Sequence, residues 1–271
     1  MAEINAAHAG TITLGGELTV NRLGLGTNRI ADNEASRAVL RRAIELGVNF
    51  IDTAEMYRQS EAVIGATLAP YPPGVVVSTK GGVTQQFQAA NDPAMIRRGV
   101  EQSLRLLRLE HLPCYFLHRL DPARADEAIG ALRDLRDAGL IRHVALSDVT
   151  IAEIERARQI VPIAAVQNEY NLLERKHDAV VDHCAANGLA FIPWFPLSRG
   201  HYAAAEATLD AIGARLGASR QQLALAWLLR RSPAILPIPG TTSVEHLESN
   251  LAAADLTLGD DDHAGLDALA R

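Results

Sequence analysis

Residues 92–118, DPAMIRRGVEQSLRLLRLEHLPCYFLH, decide the fold. Asp92 followed by Pro93 reads as a helix N-cap with proline in the first turn, where its missing N–H costs nothing. Ile96, Val100, Leu104 and Leu107 then recur at helical spacing, while Arg97, Arg98, Glu101 and Arg105 take the opposite, solvated face. After that pattern ends, Cys114–His118 is a short apolar run of strand length. An amphipathic helix feeding a short buried strand is half of a βαβ unit.

The same couple recurs along the chain. The apolar runs are Arg22–Gly26, Phe50–Asp52, Val75–Lys80, Cys114–His118, Val144–Ser147, Ala164–Gln167, Ala190–Trp194 and Ala234–Pro237, eight in all. Thr150 with Glu153, and Ser219 with Gln222, have capping-box spacing. Gly47, Gly139 and Gly188 each stand where a helix must stop before the next strand. Alternating strands and helices imply an α/β protein with a parallel sheet covered by helices. Periodicity alone does not separate an open sheet from a closed one. Eight units, and no complete G-x-G-x-x-G after the first strand (Gly24-Leu25-Gly26 is a fragment), favour a (β/α)8 TIM barrel. Before it, residues 11–20 read as an N-terminal β-hairpin around Gly15-Gly16. No linker or charge block divides the chain, so residues 1–271 are expected to form a single domain.

Composition narrows the class. Hydrophobic residues at 48% and charged ones at 21% exclude a disordered chain, and 4% aromatics leave the core to Ala, Leu, Ile and Val. A net charge of -6 speaks against nucleic acid or an anionic membrane as partner. Cys114 and Cys184 form neither a disulfide framework nor a C-x-x-C pattern. Residues 1–10 carry Glu3 and lack a signal peptide's apolar run, and nowhere is there an uninterrupted apolar span of membrane length. The expectation is a soluble, cytoplasmic protein with no metal site. His177 and His183 lie off the i, i+4 spacing that pairs two imidazoles on a helix face, and read as surface residues.

Barrel chemistry sits at the carboxyl ends of strands. Those ends carry Asp52 with Tyr57 behind it, Lys80, and His118. Singly, each has an ordinary structural explanation: a turn acid, a packed phenol, a solvated amine, a satisfied imidazole. Jointly they suit carbonyl reduction, in which a hydride arriving at carbon leaves negative charge on oxygen that a proton donor must meet. A phenol is a weak acid at neutral pH, and an adjacent Lys80 ammonium, held by Asp52, is expected to lower its pKa. His118 can orient the carbonyl. No side chain supplies hydride, so a cofactor is required.

From about residue 11 to 255 the sequence resembles the aldo-keto reductase family. The carrying pieces are Gly24-Leu-Gly-Thr27, Phe50-Ile-Asp-Thr-Ala-Glu-Met-Tyr57 with Ser60-Glu61 and Gly65, and Ser78-Thr-Lys80. They continue with Leu117-His-Arg-Leu-Asp121, Gln167-Asn-Glu-Tyr-Asn-Leu172, Pro196-Leu197 with Gly200, and Ile238-Pro-Gly-Thr241 with His246 and Asn250. The resemblance implies NADPH-dependent reduction of aldehydes or ketones by the tetrad Asp52, Tyr57, Lys80 and His118, with Tyr57 as general acid. It implies that Ser147, Asp148 and Gln167 hold the nicotinamide carboxamide and that Trp194 stacks on the ring. Gly26, Thr27 and Asp52 would border the cofactor. Phe195, Pro196, Leu197 and Arg199 would run beside the pyrophosphate, and Ile238, Gly240, Thr241, Thr242, His246 and Asn250 would take the adenosine end. Asn28, Tyr57 and His118 would meet a small carbonyl substrate. With no long segment after the last motif, the pocket is expected to be open, with Asn28, Arg29 and Tyr170 as walls.

Three departures from the family's pattern stand out. Asp148 occupies a position that usually holds Asn, so it accepts from an amide but cannot donate. Arg58-Gln59 follows Tyr57 without the common glycine. Gly240, Thr242 and His246 stand where basic residues often grip the 2′-phosphate, with Arg199 as a partial substitute, which keeps NADH open beside NADPH. Two other functions fit parts of the pattern: a non-catalytic, cofactor-binding regulatory subunit, and an aldolase using Lys80 as Schiff-base amine. Oligomeric state is not legible.

Overall fold

The computed structural model describes residues 3–203 and 205–270; Met1, Ala2, Ala204 and Arg271 of the expected 1–271 domain lie outside the described residues. Strands β1 (Thr11–Leu14) and β2 (Leu18–Asn21) form the expected antiparallel hairpin, in register from Thr11 opposite Asn21 to Leu14 opposite Leu18. Gly15 and Gly16 turn it at φ 58° and 76°, the left-handed pair that matches strand twist.

Seven parallel strands follow in sequential order: β3 (Leu25–Gly26), β4 (Phe50–Asp52), β5 (Val76–Gly81), β6 (Leu112–Leu117), β7 (Ile141–Ser147), β8 (Ile163–Gln167) and β9 (Ala190–Phe191). The expected eighth strand, Ala234–Pro237, is not a regular ladder strand, yet its segment closes the barrel. Leu236 N donates to Phe191 O at 2.9 Å on one side, and Gly24 N donates to Pro237 O at 2.9 Å on the other. Single parallel bridges, Phe191 to Ile235 and Gly26 to Gly240, mark both seams. Pro237 and Pro239 offer carbonyls but no N–H toward β3, so only half of that ladder can form.

Helices cover the outside: α1 (Glu34–Glu45), α2 (Ser60–Leu68), α3 (Pro93–Leu107), α4 (Ala125–Asp137), α5 (Ile151–Arg158), α6 (Asp178–Ala186), α7 (Glu206–Leu216), α8 (Arg220–Arg231), α9 (Val244–Leu251) and α10 (Asp260–Asp267). Their ends follow local chemistry. Asp92 caps α3 by accepting from Ala94 N and Met95 N, and reciprocal capping boxes open α5 at Thr150 and α8 at Ser219. Gly47, Gly139 and Gly188 are left-handed, at φ 80°, 76° and 67°. On α3, Ile96, Val100 and Leu107 are fully buried against the strands.

The barrel interior is a separate core. Leu14 and Val20 of the hairpin pack with Phe50, Val76, Cys114, Phe116, Ala145, Ala165 and Leu236. The hairpin thus plugs the amino-terminal mouth and leaves the carboxyl mouth uncovered by it. None of the helices among the described residues is long and apolar enough to cross a membrane.

Candidate active site

Strand parity brings the site together. Side chains alternate across a strand, so residues two apart face the same way. Phe50 is interior and so is Asp52; Val76 leads to Ser78 and Lys80, Phe116 to His118, Ala145 to Ser147, and Ala165 to Gln167. The rim groups are the top layer of the same inward-facing rows whose lower members form the barrel core.

At the centre, Lys80 Nζ lies 2.6 Å from Asp52 Oδ2, with the two side chains 0% and 3% exposed. Lys80 also donates to Thr53 O at 2.7 Å, while Asp52 Oδ1 accepts from Ser78 Oγ at 3.0 Å and Gln167 Nε2 at 3.1 Å. A buried ion pair of this kind survives because nearly every donor and acceptor around it is satisfied. Burial alone would push the Lys80 pKa down, but the Asp52 carboxylate and the Tyr57 hydroxyl outweigh it and raise it. Such an enclosed, charged ammonium is no nucleophile, which removes the structural basis for a Schiff-base aldolase.

The ammonium lies 5.2 Å from the Tyr57 ring centroid. Its charge and hydrogen bonding pull the phenol pKa down, yet the net shift is upward, because burial of the phenol is the larger effect and Asp52 adds to it. The expected acidification is therefore corrected. At neutral pH the phenol therefore keeps its proton, with the Lys80 ammonium as the neighbour that favours its loss. His118 meets Tyr57 edge-on at 6.1 Å between centroids. Burial, then the Lys80 charge, push its pKa down to about 3, so the imidazole is neutral, and its buried Nδ1 has no partner among the described residues.

A second set of bonds fixes the segment that carries Tyr57. Thr53 Oγ1 donates to Ser60 Oγ at 2.9 Å, Ser60 to Thr27 Oγ1 at 2.8 Å, and Thr27 to Asp52 O at 2.8 Å. Behind them the buried Glu61 accepts from Thr79 Oγ1 at 2.6 Å. These are the Ser60-Glu61 and Thr27 positions that the motif comparison singled out.

A groove of about 820 Å³ runs across the carboxyl mouth. Its near end holds Asp52, Tyr57, His118, Ser147, Asp148, Gln167 and Trp194, together with Asn28 and Arg29. Its middle is bordered by Gly26, Thr27 and the loop that carries Phe195, Pro196, Leu197 and Arg199. Ile238 and Gly240, the latter bridged to Gly26, line it as well, and Thr241, Thr242, His246 and Asn250 carry the lining on to α9 at the far end. All the expected cofactor positions share this one cleft. Lys80 lies beneath the groove floor, fully buried.

Tyr170 does not wall the pocket. It is fully buried, stacked on Trp227 at 5.9 Å and hydrogen-bonded to Asp178. Its place on the far side of the inward row, after Gln167, explains the error. His177 is half-buried beside Asn168, and His183 bonds Glu155 at 2.9 Å, so neither is the free surface residue expected. Met56 and Phe87 line the near end, and Ser219, Gln221 and Ser249 the far end, without having been foreseen. Phe87 reaches the site from a loop, at φ 60°, with its ring 5.0 Å from His118; no periodic signal marks such a position. Ser219 was read only as a cap.

The chain belongs to the Aldo/keto reductase family, whose model matches residues 20–271. Among similar proteins, an uncharacterised oxidoreductase of Schizosaccharomyces pombe is 40% identical over 97% of this chain and 91% of its own length. Pyridoxine 4-dehydrogenase of Escherichia coli is 38% identical over 96% of this chain and 98% of its own length. Two crystal structures of an aldo-keto reductase from Klebsiella pneumoniae superpose with this fold. The one solved with NADP and acetate has a TM-score of 0.83 at 28% identity, covering 96% of this chain and 94% of that one. The one solved with NADPH has a TM-score of 0.84 at 29% identity, with the same coverage.

Proposed function

We propose that this chain reduces aldehydes or ketones to alcohols with NADPH, using Tyr57 as proton donor. The observation that carries the reading is the buried Lys80–Asp52 pair set beneath Tyr57 and His118 in a groove of about 820 Å³. The groove fits that cofactor: apolar and aromatic walls at the near end, and the amino-terminal turn of α9, capped by Ser243, at the far end. When bound, NADPH supplies the hydride. Ser147, Asp148, Gln167 and Trp194 would hold its nicotinamide, the segment 195–199 its pyrophosphate, and residues 240–250 its adenosine.

The residues then divide the work. Tyr57 and the neutral His118 together seat the carbonyl oxygen. As negative charge develops there, the Tyr57 proton moves to it, and the phenolate left behind is met by the Lys80 ammonium, which Asp52 keeps charged and in place. His118, being neutral, donates a hydrogen bond without competing as an acid. Tyr57, Phe87, His118 and Trp194 make the near end aromatic, which favours flat substrates. Pyridine aldehydes head the panel, in keeping with the pyridoxine dehydrogenase among the relatives.

The test is consumption of NADPH against a panel of carbonyl compounds, repeated with Tyr57→Phe. Loss of the proton donor should lower kcat by about 10²–10⁴-fold while calorimetry shows NADPH binding within twofold of wild type. Full activity in that variant would remove Tyr57 from its role. Cofactor binding without turnover of any carbonyl would instead favour a regulatory subunit.

A further inference from the structure

Asp148 directly follows β7 and lines the groove, where it is the one carboxylate among the described lining residues that has no cation bonded to it. Its backbone is left-handed at φ 55°, a conformation that Asp tolerates, and its N–H donates to Gln167 O at 3.0 Å. That geometry aims the side chain across the mouth, where Oδ1 accepts from Trp194 Nε1 at 2.9 Å. The second oxygen, Oδ2, has no hydrogen bond among the described residues. The other acid at this end, Asp52, is neutralised by Lys80. Asp148 thus brings a net negative charge, and its field is felt as far as Tyr57, where it opposes the phenolate.

The position of that charge has a chemical consequence. Hydride passes only between atoms in van der Waals contact. A ring serving a carbonyl seated on Tyr57 and His118 would be held by the side chains that line the groove beside them, Ser147, Asp148, Gln167 and Trp194. Loss of hydride, two electrons and a proton leaving for the carbonyl carbon, converts a neutral dihydropyridine into a pyridinium of charge +1. A fixed carboxylate at its edge stabilises the product of that step over its reactant, and does so without reorganisation because Trp194 and the Gln167 carbonyl of β8 hold it.

We propose that Asp148 is an electrostatic specificity residue for the redox state of the cofactor, binding the oxidised, cationic nicotinamide more tightly than the reduced one and so favouring hydride donation. This rests on the NADPH reading above. The two failures are distinguishable, because one is a loss of binding and the other a loss of preference. Burial raises the Asp148 pKa, while the Trp194 hydrogen bond and the charges of Arg119, His177 and Lys176 pull it down without any of the three bonding to it.

The experiment is calorimetric titration of wild type and Asp148→Asn with NADP⁺ and with NADPH, each alone and without substrate. Asparagine keeps the left-handed backbone and an acceptor for the indole while removing the charge. The ratio of the two dissociation constants should shift by about tenfold against NADP⁺, the size expected of a single charge near a partly screened site. Asp148→Ser, a second neutral variant, should shift it the same way. Equal weakening of both forms would show Asp148 to be only a support for Trp194 and overturn the proposal. Failure of the wild type to bind either form would overturn the cofactor reading and this inference with it.

Discussion

Arg58 follows the Tyr57 phenol with its backbone in the left-handed region, at φ 51°. A side chain there costs roughly 1–2 kcal/mol against a right-handed conformation, and glycine escapes that cost while losing some chain entropy. Arg58→Gly should therefore stabilise the fold by about 0.5–1 kcal/mol, read as a higher urea midpoint with an unchanged slope. His118 supplies a second residue-scale test. Its folded pKa of about 3 lies below the ordinary 6.5, so the unfolded chain binds a proton that the folded chain refuses. Stability is complete above pH 6.5 and falls as pH drops through that window, by about 1.4 kcal/mol per unit and roughly 5 kcal/mol in all. Urea unfolding of wild type and His118→Gln between pH 7 and 4 should show a steeper slope in wild type, above the part that His143, His177 and His263, also held down by burial, give to both. Asp52, Lys80 and His118 could be placed at the rim from the sequence because each continues an inward-facing row, whereas Tyr57 lies on the loop after β4 and was read from its motif. The net direction of the Tyr57 pKa was not, because it depends on how far the phenol is desolvated, which no sequence spacing encodes.

Elements were legible where their ends carry chemistry and obscure where their pairing depends on neighbours. The caps at Asp92, Thr150 and Ser219 are read from two residues each. The closing segment after α8 looked like any other apolar run, and only the two seams show that Pro237 and Pro239 leave it half-bonded. The β1–β2 hairpin offers the sharpest test at this scale. Gly15 and Gly16 are both left-handed, but a Cβ on Gly15 would lie 2.2 Å from His143 Nδ1, whereas Gly16 has nothing within 4 Å. Gly16→Ala should cost only the backbone penalty of roughly 1–2 kcal/mol. Gly15→Ala must also displace a mostly buried imidazole, or lift the plug from the core that Leu14 and Val20 share with Phe50. Its thermal midpoint should fall at least twice as far. Equal losses would show that the hairpin yields freely and does not seal the barrel.

Across the whole molecule, one groove joins segments from nearly every strand end, so any occupant ties together parts distant in sequence. A ligand that binds only the folded chain at a hundredfold excess over its dissociation constant adds about 2.7 kcal/mol of stability. For a chain of this size that raises Tm by roughly 5–10 °C, and NADPH should do so. The comparison with NADH is more informative, because it isolates the 2′-phosphate. For that phosphate the groove offers His246 on α9 and the exposed Arg199 of the 195–199 loop, whose guanidinium rests 3.9 Å from the Phe195 ring centroid. Arg220 begins the neighbouring helix α8 but is bonded to Asp210 and Glu206, and it does not line the groove. A phosphate there meets one exposed guanidinium and one imidazole rather than a cluster of cations, and exposed charge pairs contribute little, about 1 kcal/mol or less each. The preference for NADPH over NADH should accordingly be about tenfold or less, and Arg199→Ala should remove most of it while leaving NADH affinity within twofold. A preference of a hundredfold or more, or one untouched by Arg199→Ala, would mean that the 2′-phosphate is held by groups other than these two.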